Sequence, residues 1–468
     1  MTRAPEYSRR HALRLGALGA GGLASLGLAG CGGGASGGED GLTFWNAVYA
    51  TSSDTEKTKK RGEFWVVRST QRFSKDTKLA AKVSDLPGDL PMFTKFRAAG
   101  VARNGPDVAS LWSGAYTFGV KDYLEPLDEH FTAAERDQLT GWAAVTDGFE
   151  PGKGTIYGVP SGNDGICALY FDRRVLAQVG TEIGDTPMGW AAWIDLLDRI
   201  KRTGVTPLAL GKYNSTAFTL FYWIAQVVGG EAGLHELGAG DRDFADPAIE
   251  DVVTKWLQLV DYTVPGAPTM DGGQAQSRLA AGKAAAVVEG AWAIPDLRST
   301  LGDNIVMTTL PDVSSSVSVS GTGIGGPGGA LVVTNYSKHK DEAVRLIKHL
   351  VSAEEQQQRI AGGETTPIPN AVGLDPTEIY ADPLYQQQYR WVNEKFVFYA
   401  DNIWPTELVD EILAQAQLAW GGKISAAEFL TRADAKRDEI AAKNCAHACR
   451  RRIAKQGRPR GTTASQSE

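Results

Sequence analysis

Apolar residues recur along this chain with two alternating periods. Strand-length runs occur at Leu42-Thr43-Phe44-Trp45, which ends at Asn46, near Leu79 to Val83, and at Val108 to Trp112 behind the turn Gly105-Pro106-Asp107. Further runs lie at Ile166 to Phe171, Ala284 to Val288, Ile305 to Leu310 and Ala330 to Val333. Between them the spacing turns helical. Thr186-Pro187 is expected to open a helix with Trp190, Trp193, Leu196, Leu197 and Ile200 on one face, and Asp246-Pro247 another with Ile249, Val252, Val253, Trp256, Leu257 and Val260. A third, Asp341 to Leu350, turns Ala343, Leu346, Ile347 and Leu350 inward. Thr132 with Glu135 and Ser352 with Glu355 have capping-box spacing, and Ser425 with Glu428 opens the last helix. Strands alternating with helices predict an α/β fold with mostly parallel sheet, and the helical tryptophans Trp190, Trp193 and Trp256 read as core.

One run organises the rest. Ala284 to Val288 follows the turn Gly282-Lys283 and stops at Glu289-Gly290, just before the indole of Trp292. In a parallel α/β sheet ligands bind beyond the carboxyl ends of the strands, so Glu289, Gly290 and Trp292 are expected to line a crevice. Gly158 to Ser161 breaks the pattern and marks a crossing between lobes. Pro311 marks the return, and Thr365 to Pro369 is an irregular loop at a cleft edge.

Length and charge narrow the class. A chain of 468 residues exceeds one ordinary core, so two lobes or more are expected. The net charge is −7, yet residues 1–30 and 443–468 are both basic, which leaves the body between them near −16. Such a body does not suit nucleic acid or anionic lipid. At the start, Arg9-Arg10 precedes a Gly/Ala-rich apolar run, Leu15 to Leu28, too short to span a bilayer. This resembles a twin-arginine export signal, and Leu28-Ala29-Gly30-Cys31 matches the bacterial lipobox, with Cys31 as the lipidated residue. Residues 31–41 read as a flexible tether. Residues 443–468 lack apolar periodicity and are expected to be a disordered basic tail. Its Cys445, His447 and Cys449 supply three soft ligands, whereas a closed zinc site needs four, so no metal is assigned.

Several motifs occur in order: GPDV before a strand and Trp112; DYLEPLD; IYGVP before GICALYFDRRVL; FADP opening a helix; LAAGKAAAVVEGAW; GGALVVTNYSKHKDEAVRLIKHLVSAEEQQ; and GGKISAAEFL. Together they resemble the extracellular solute-binding proteins of carbohydrate ABC importers, the broad group that includes maltose-binding protein, over about residues 42–442. The resemblance implies a two-lobed periplasmic-binding-protein-like fold with a central ligand cleft and hinge crossovers. Lobe 1 is then 42–158 with 312–362, and lobe 2 is 159–311 with 363–442. It further implies a monomeric receptor, neither enzyme nor cofactor-dependent, that closes on a sugar and hands it to the permease subunits of an importer. The charged segment between Val48 and Ser74 departs from the family's usual first helix entry.

The residues fit that chemistry. A sugar offers hydroxyls around its ring and apolar C–H patches on its faces, so its site needs carboxylates, amides and flat aromatic surfaces. Motif matches suggest Asn46, Trp112, Ser113, Asp164 and Trp292 as ligand contacts, with Tyr116, Glu289, Thr366, Asp401 and Trp404 as further candidates. Asp164, in Ser161-Gly162-Asn163-Asp164-Gly165, fits a turn cap as well as a ligand contact. The Gly323 to Gly328 stretch satisfies GxGxxG in letter, but it leads into a strand and carries Pro327, so no nucleotide site follows. The six histidines show no metal spacing, and no GxSxG elbow occurs. Two alternatives stay open: a glycoside-processing enzyme using Asp164 and Glu289, and a receptor for a non-sugar solute.

Overall fold

Every second residue of Gly41–Asn46 is buried, as a strand with one face on a core requires. In the computed structural model of the chain, residues 41–50, 60–86 and 90–456 are described. The expected export signal, Cys31 and most of the tether lie outside them. The strands are β1 (Gly41–Asn46), β2 (Ala80–Asp85), β3 (Val108–Trp112), β4 (Val159–Pro160), β5 (Ala168–Asp172) and β6 (Thr206–Ala209). They continue as β7 (Ala284–Glu289), β8 (Ile305–Thr308), β9 (Ile324–Gly325), β10 (Gly329–Val333) and β11 (Val397–Phe398). One sheet has the order β2-β1-β3-β10-β4, a second β6-β7-β5-β8, and β9 pairs with β11.

Both larger sheets are mixed, which corrects the expectation of mostly parallel pairing. β1 runs parallel to β2 and β3, and β6 parallel to β7, but β10 runs against β3 and β5 against β7. The reason is the crossing. A segment arriving from the other lobe enters its sheet at the edge where the neighbouring strand ends, so its strand runs away from that edge. Register shows this: Gly329, the start of β10, sits opposite Trp112, and Ala168, the start of β5, opposite Glu289. Trp112 and Glu289 therefore end their strands at the two crossings.

Packing divides the described chain into two lobes. Phe44, Phe96, Leu111, Leu331 and Leu346 share one core around the first sheet. The second sheet is covered on both faces, and its strands alternate between two cores: Leu169 and Phe171 join Trp193, Trp223 and Trp256, while Ala168 and Tyr170 join Val287, Ile294 and Tyr385. This is why β5 and β7 read as continuous apolar runs. Trp193 and Trp256 are fully buried, and Trp190 packs edge-on against Trp223 at 5.2 Å.

Four local expectations are corrected. The Trp193 helix starts at Trp190, not at Thr186-Pro187, because Gly189 is held extended by bridging to Asp312. The return crossing comes later than Pro311, since Val313 and Ile324 sit in the second lobe's core and Lys255 Nζ donates to the Val313 carbonyl at 2.9 Å. Ser352 caps its helix, but the Glu355 side chain turns away to accept from Trp65 Nε1 and Arg72 Nε. Finally, the last helix runs Ala426–Gln456, into the stretch expected to lack structure. Ala, Lys, Arg and Gln favour helix without any apolar face, so absent periodicity did not mean absent helix.

The first crossing is held by a buried amide. Gln388 Oε1 accepts from the Ile166 backbone N–H at 2.8 Å, while its Nε2 donates to the Ile166 carbonyl and to Tyr170 Oη, each at 3.0 Å. Leucine at 388 would leave both backbone groups of Ile166 unpaired in an apolar surround. Gln388→Leu is expected to lower the unfolding free energy by about 2 kcal/mol, read from urea denaturation; a loss within experimental error would count against the clamp.

Candidate ligand cleft

β7 delivers Glu289 to the crossing edge nearly fully buried, where a carboxylate is costly unless donors meet it. Asn214 Nδ2 donates to its Oε1 and Trp292 Nε1 to its Oε2, both at 2.8 Å. Burial pushes the Glu289 carboxyl up, and donors from Asn214, Gln276 and Trp292 pull it back. Asn214 is itself fixed by donating to the Val288 carbonyl at 2.6 Å and accepting from Gly211 N at 3.2 Å. It opens a π-helical turn, Asn214–Leu220, a rare geometry found often at functional sites. The indole of Trp292 folds back over Gly290, where any Cβ would lie 2.1 Å from the ring. Anchored by its N–H and 5.7 Å from the Phe218 ring, Trp292 remains half-buried with surface to spare.

Beside this unit two more carboxylates converge. Asp164 is tied by its backbone, donating to the Gly326 carbonyl at 2.9 Å and accepting from Ala291 N at 3.0 Å. Its carboxylate forms no hydrogen bond among the described residues, so it does not cap the turn; it lies against Gly328, where a Cβ has no room. Burial pushes Asp164 up to about 7. Asp401, in the short helix Ala400–Ile403, is 7% exposed, and its Oδ1 has no partner. Burial pushes it up to about 6. The buried Cys167 thiol is pushed up first by desolvation and then by the charges of Glu289, Asp401 and Asp164.

The first lobe contributes an aromatic wall. Trp112 and Tyr116 meet edge to face at 5.0 Å, and Phe93 packs on both, at 5.9 and 5.2 Å. The Tyr116 phenol is pushed far up by burial, then by Asp401 and by Tyr213 of the second lobe. The Tyr116 and Tyr213 phenols are hydrogen-bonded, so these two side chains meet where the lobes approach. Trp112 is half-buried, as a stacking surface requires.

Other expected contacts are placed elsewhere. Asn46 closes a turn, donating from Nδ2 to the Tyr49 carbonyl at 2.8 Å and accepting from Tyr49 N at 3.1 Å. Ser113 is buried; its Oγ donates to the Pro327 carbonyl at 2.6 Å and accepts from Asn402 Nδ2 at 3.1 Å. Trp404 is a core residue with no exposed face, donating to the Leu234 carbonyl at 2.7 Å between Phe221 and Phe244. In all three, internal partners take up the groups a ligand would use. Thr366 is half-buried on the strap that pairs with Asn163 through Ile368. Sequence reasoning missed Tyr213, Asn214 and Phe218. The signal was there: Leu208-Ala209-Leu210-Gly211 followed by Tyr213-Asn214 repeats the pattern of a strand end followed by aromatic and amide residues.

A separate recess of about 860 Å³ opens between the helices Gly272–Ala280 and Ile294–Leu301. It touches the cleft through Gln276, which bonds to Glu289, but no aromatic side chain lines it. The cleft, where aromatic and acidic side chains converge, is the better candidate site.

Residues 69–387 match the family model described as bacterial extracellular solute-binding protein. Among curated proteins, a probable sugar-binding periplasmic protein of Mesorhizobium japonicum is 25% identical over 193 residues, which cover 39% of this chain and 45% of that protein. The chain thus aligns with less than half the length of that relative. Among solved structures, a chitin oligosaccharide binding protein superposes with a TM-score of 0.70 at 18% identity, covering 84% of this chain and 98% of the other. The GacH receptor of Streptomyces glaucescens, solved unliganded and with acarbose, gives 0.65 at 22% identity, covering 86% and 97%. These likenesses show the two-lobed binding-protein fold.

The raised carboxylates give a signed expectation. An unfolded aspartate titrates near about 3.9. The raised folded pKa of Asp401 means that its contribution to stability is complete below that value and is lost as pH rises through about 6. Asp401→Asn is expected to stabilise the ligand-free protein at pH 8 by on the order of 2 kcal/mol, with no gain at pH 4. Melting curves at the two pH values test this, and an Asn variant less stable than the parent at pH 8 would refute the unpaired charge.

Proposed function

Because the chain belongs to the bacterial extracellular solute-binding proteins, we propose that it captures a carbohydrate between its two lobes and passes it, unchanged, to the membrane permease of an ABC importer. The observation that carries this reading is Trp292: an indole clamped by the Glu289 carboxylate, backed by Phe218 and left half-exposed, next to Ala291, whose N–H bonds the Asp164 carbonyl. Sugar rings present C–H faces to such an indole and hydroxyls to such carboxylates. Trp112 and Tyr116 supply the facing wall from the first lobe, so a ligand touching both walls would favour the closed arrangement over the open one. Chitin oligosaccharide, acarbose and a probable sugar ligand among the similar proteins agree with a carbohydrate class.

A hydrolytic role for the cleft acids fits less well. Both oxygens of Glu289 are already engaged by Asn214 and Trp292, which leaves the expected second carboxylate of a glycosidase occupied. At the other end of the chain, we read Cys31 as a lipid anchor that keeps the receptor on the outer face of the cell membrane near its permease.

Calorimetric titration with mono- and oligosaccharides is expected to find a ligand that is recovered intact; shorter products would establish an enzyme instead. Against that ligand, Trp292→Ala should weaken binding by roughly 1–3 kcal/mol, and an unchanged affinity would remove Trp292 from the site. Cys31→Ala should release the protein from the membrane fraction with ligand binding intact. Retention of that variant in the membrane would exclude the anchor.

A further inference from the structure

The hairpin loop between Thr146 and Ile156 is rooted in the first lobe. Thr146 and Ile156 bridge antiparallel at its neck, and Leu127 N donates to the Ile156 carbonyl at 2.8 Å. Val145 and Ile156 lie in the first lobe's core, and Lys121 pairs with Asp147 at 2.6 Å. The turn itself is polar, with Gly148, Glu150, Pro151, Gly152 and Lys153 exposed. Its one aromatic residue departs from this pattern: Phe149 is half-buried and packs against the second lobe's core. The ring meets His235 at 5.0 Å and Phe398 at 6.1 Å, with Phe118 of its own lobe at 5.3 Å. Phe398 N donates to Glu231 Oε2 at 3.2 Å, which ties β11 to the helix Glu231–Ala239 that carries His235. The socket that receives the ring is thus held together from within the second lobe.

The backbone of Phe149 has a φ of +61°, in the left-handed region where a bulky side chain is strained. Strain of this kind persists only where the surroundings hold it. Here it accompanies a ring turned out of its own loop toward His235 and Phe398. In the same arrangement Asn402 of the second lobe donates to Ser113 Oγ, beside the Trp112 wall, at 3.1 Å. Tyr116 and Phe118 stand on one short helix, Ala115–Phe118, so the aromatic wall of the cleft and the contact at Phe149 move together. Engagement of Phe149 and approach of the cleft walls therefore coexist. Resting on the receptor reading above, we infer that Phe149 is a clasp between the lobes, a positioning residue that sets ligand affinity without touching the ligand. A solute then meets walls already drawn together, and loss of the clasp lowers the fraction of protein competent to bind.

Glycine is the replacement that isolates the ring, because it deletes the side chain and accepts the left-handed backbone. In small-angle scattering of the ligand-free, full-length protein, Phe149→Gly is expected to give a larger radius of gyration than the parent. Phe149→Tyr, which keeps the ring, should give the parental value, and His235→Ala, which removes the socket from the other lobe, should expand the protein as Phe149→Gly does. Against the sugar identified by titration, Phe149→Gly should bind about threefold to tenfold more weakly, the equilibrium shift of an aromatic contact, and Phe149→Tyr should bind as the parent does. Either a parental radius or a parental or tighter affinity in Phe149→Gly, with a melting curve that shows a folded protein, would overturn the clasp and leave the receptor reading in place. Should Phe149→Gly not fold, His235→Ala decides by the same two readouts. Absence of binding by every sugar would remove the carbohydrate reading, and the scattering comparison alone would then decide the clasp.

Discussion

A carboxylate at the end of an all-apolar strand must be met by donors or be expelled, and in this protein Glu289 is met from three directions. Asn214 reaches it from the π-helical turn after β6, Gln276 from the helix that precedes β7, and Trp292 from the turn that follows it. Each donor is thereby fixed in turn. The π-helical turn carries Tyr213 and Phe218 to the crevice, and the half-buried indole is folded over Gly290. A buried charge that looks like a catalytic candidate thus acts as the post on which the aromatic floor of the cleft is hung.

The walls follow from topology. Because the chain passes between lobes, the strand that follows each crossing, β5 or β10, runs against its neighbour, and both crossings fall at the carboxyl ends of β7 and β3. The residues best placed to touch a solute are therefore also those closest to the segments that would bend on closure. Gln388 pins Ile166 within the first of these segments, and Asn402 ties Ser113 to the last. On the proposed function, a ligand bridging Trp112 and Trp292 would therefore sit beside the crossings.

Against that frame the acids of the cleft divide by role. Glu289 is satisfied internally and supports structure. Asp401 is buried with its Oδ1 unbonded and Asp164 is half-buried with no side-chain hydrogen bond among the described residues, and burial holds their carboxyls up near 6 and 7. Folded proteins seldom leave such groups unpaired, because removal from water is not repaid by any internal contact.

Much of this was legible from residue order. Apolar runs and helical spacing located β1, β3, β7 and the helices that carry Trp193 and Trp256, and strand-end logic singled out Trp112, Asp164, Glu289 and Trp292 as candidates. These are local properties, written in spacing and turn chemistry. What spacing does not encode is which partner a polar group finds across the fold. Asn46, Ser113 and Trp404 carry suitable chemistry, yet Tyr49, Asn402 and Leu234 claim it, at separations reaching 289 residues for Ser113. The sequence by itself determined the fold class, the strand ends and the kinds of side chain available at them. The tertiary structure alone decided which of those side chains were consumed internally and which, like Asp401 with its unbonded Oδ1, kept an unpaired polar atom, because burial and hydrogen-bond satisfaction depend on neighbours brought from far along the chain.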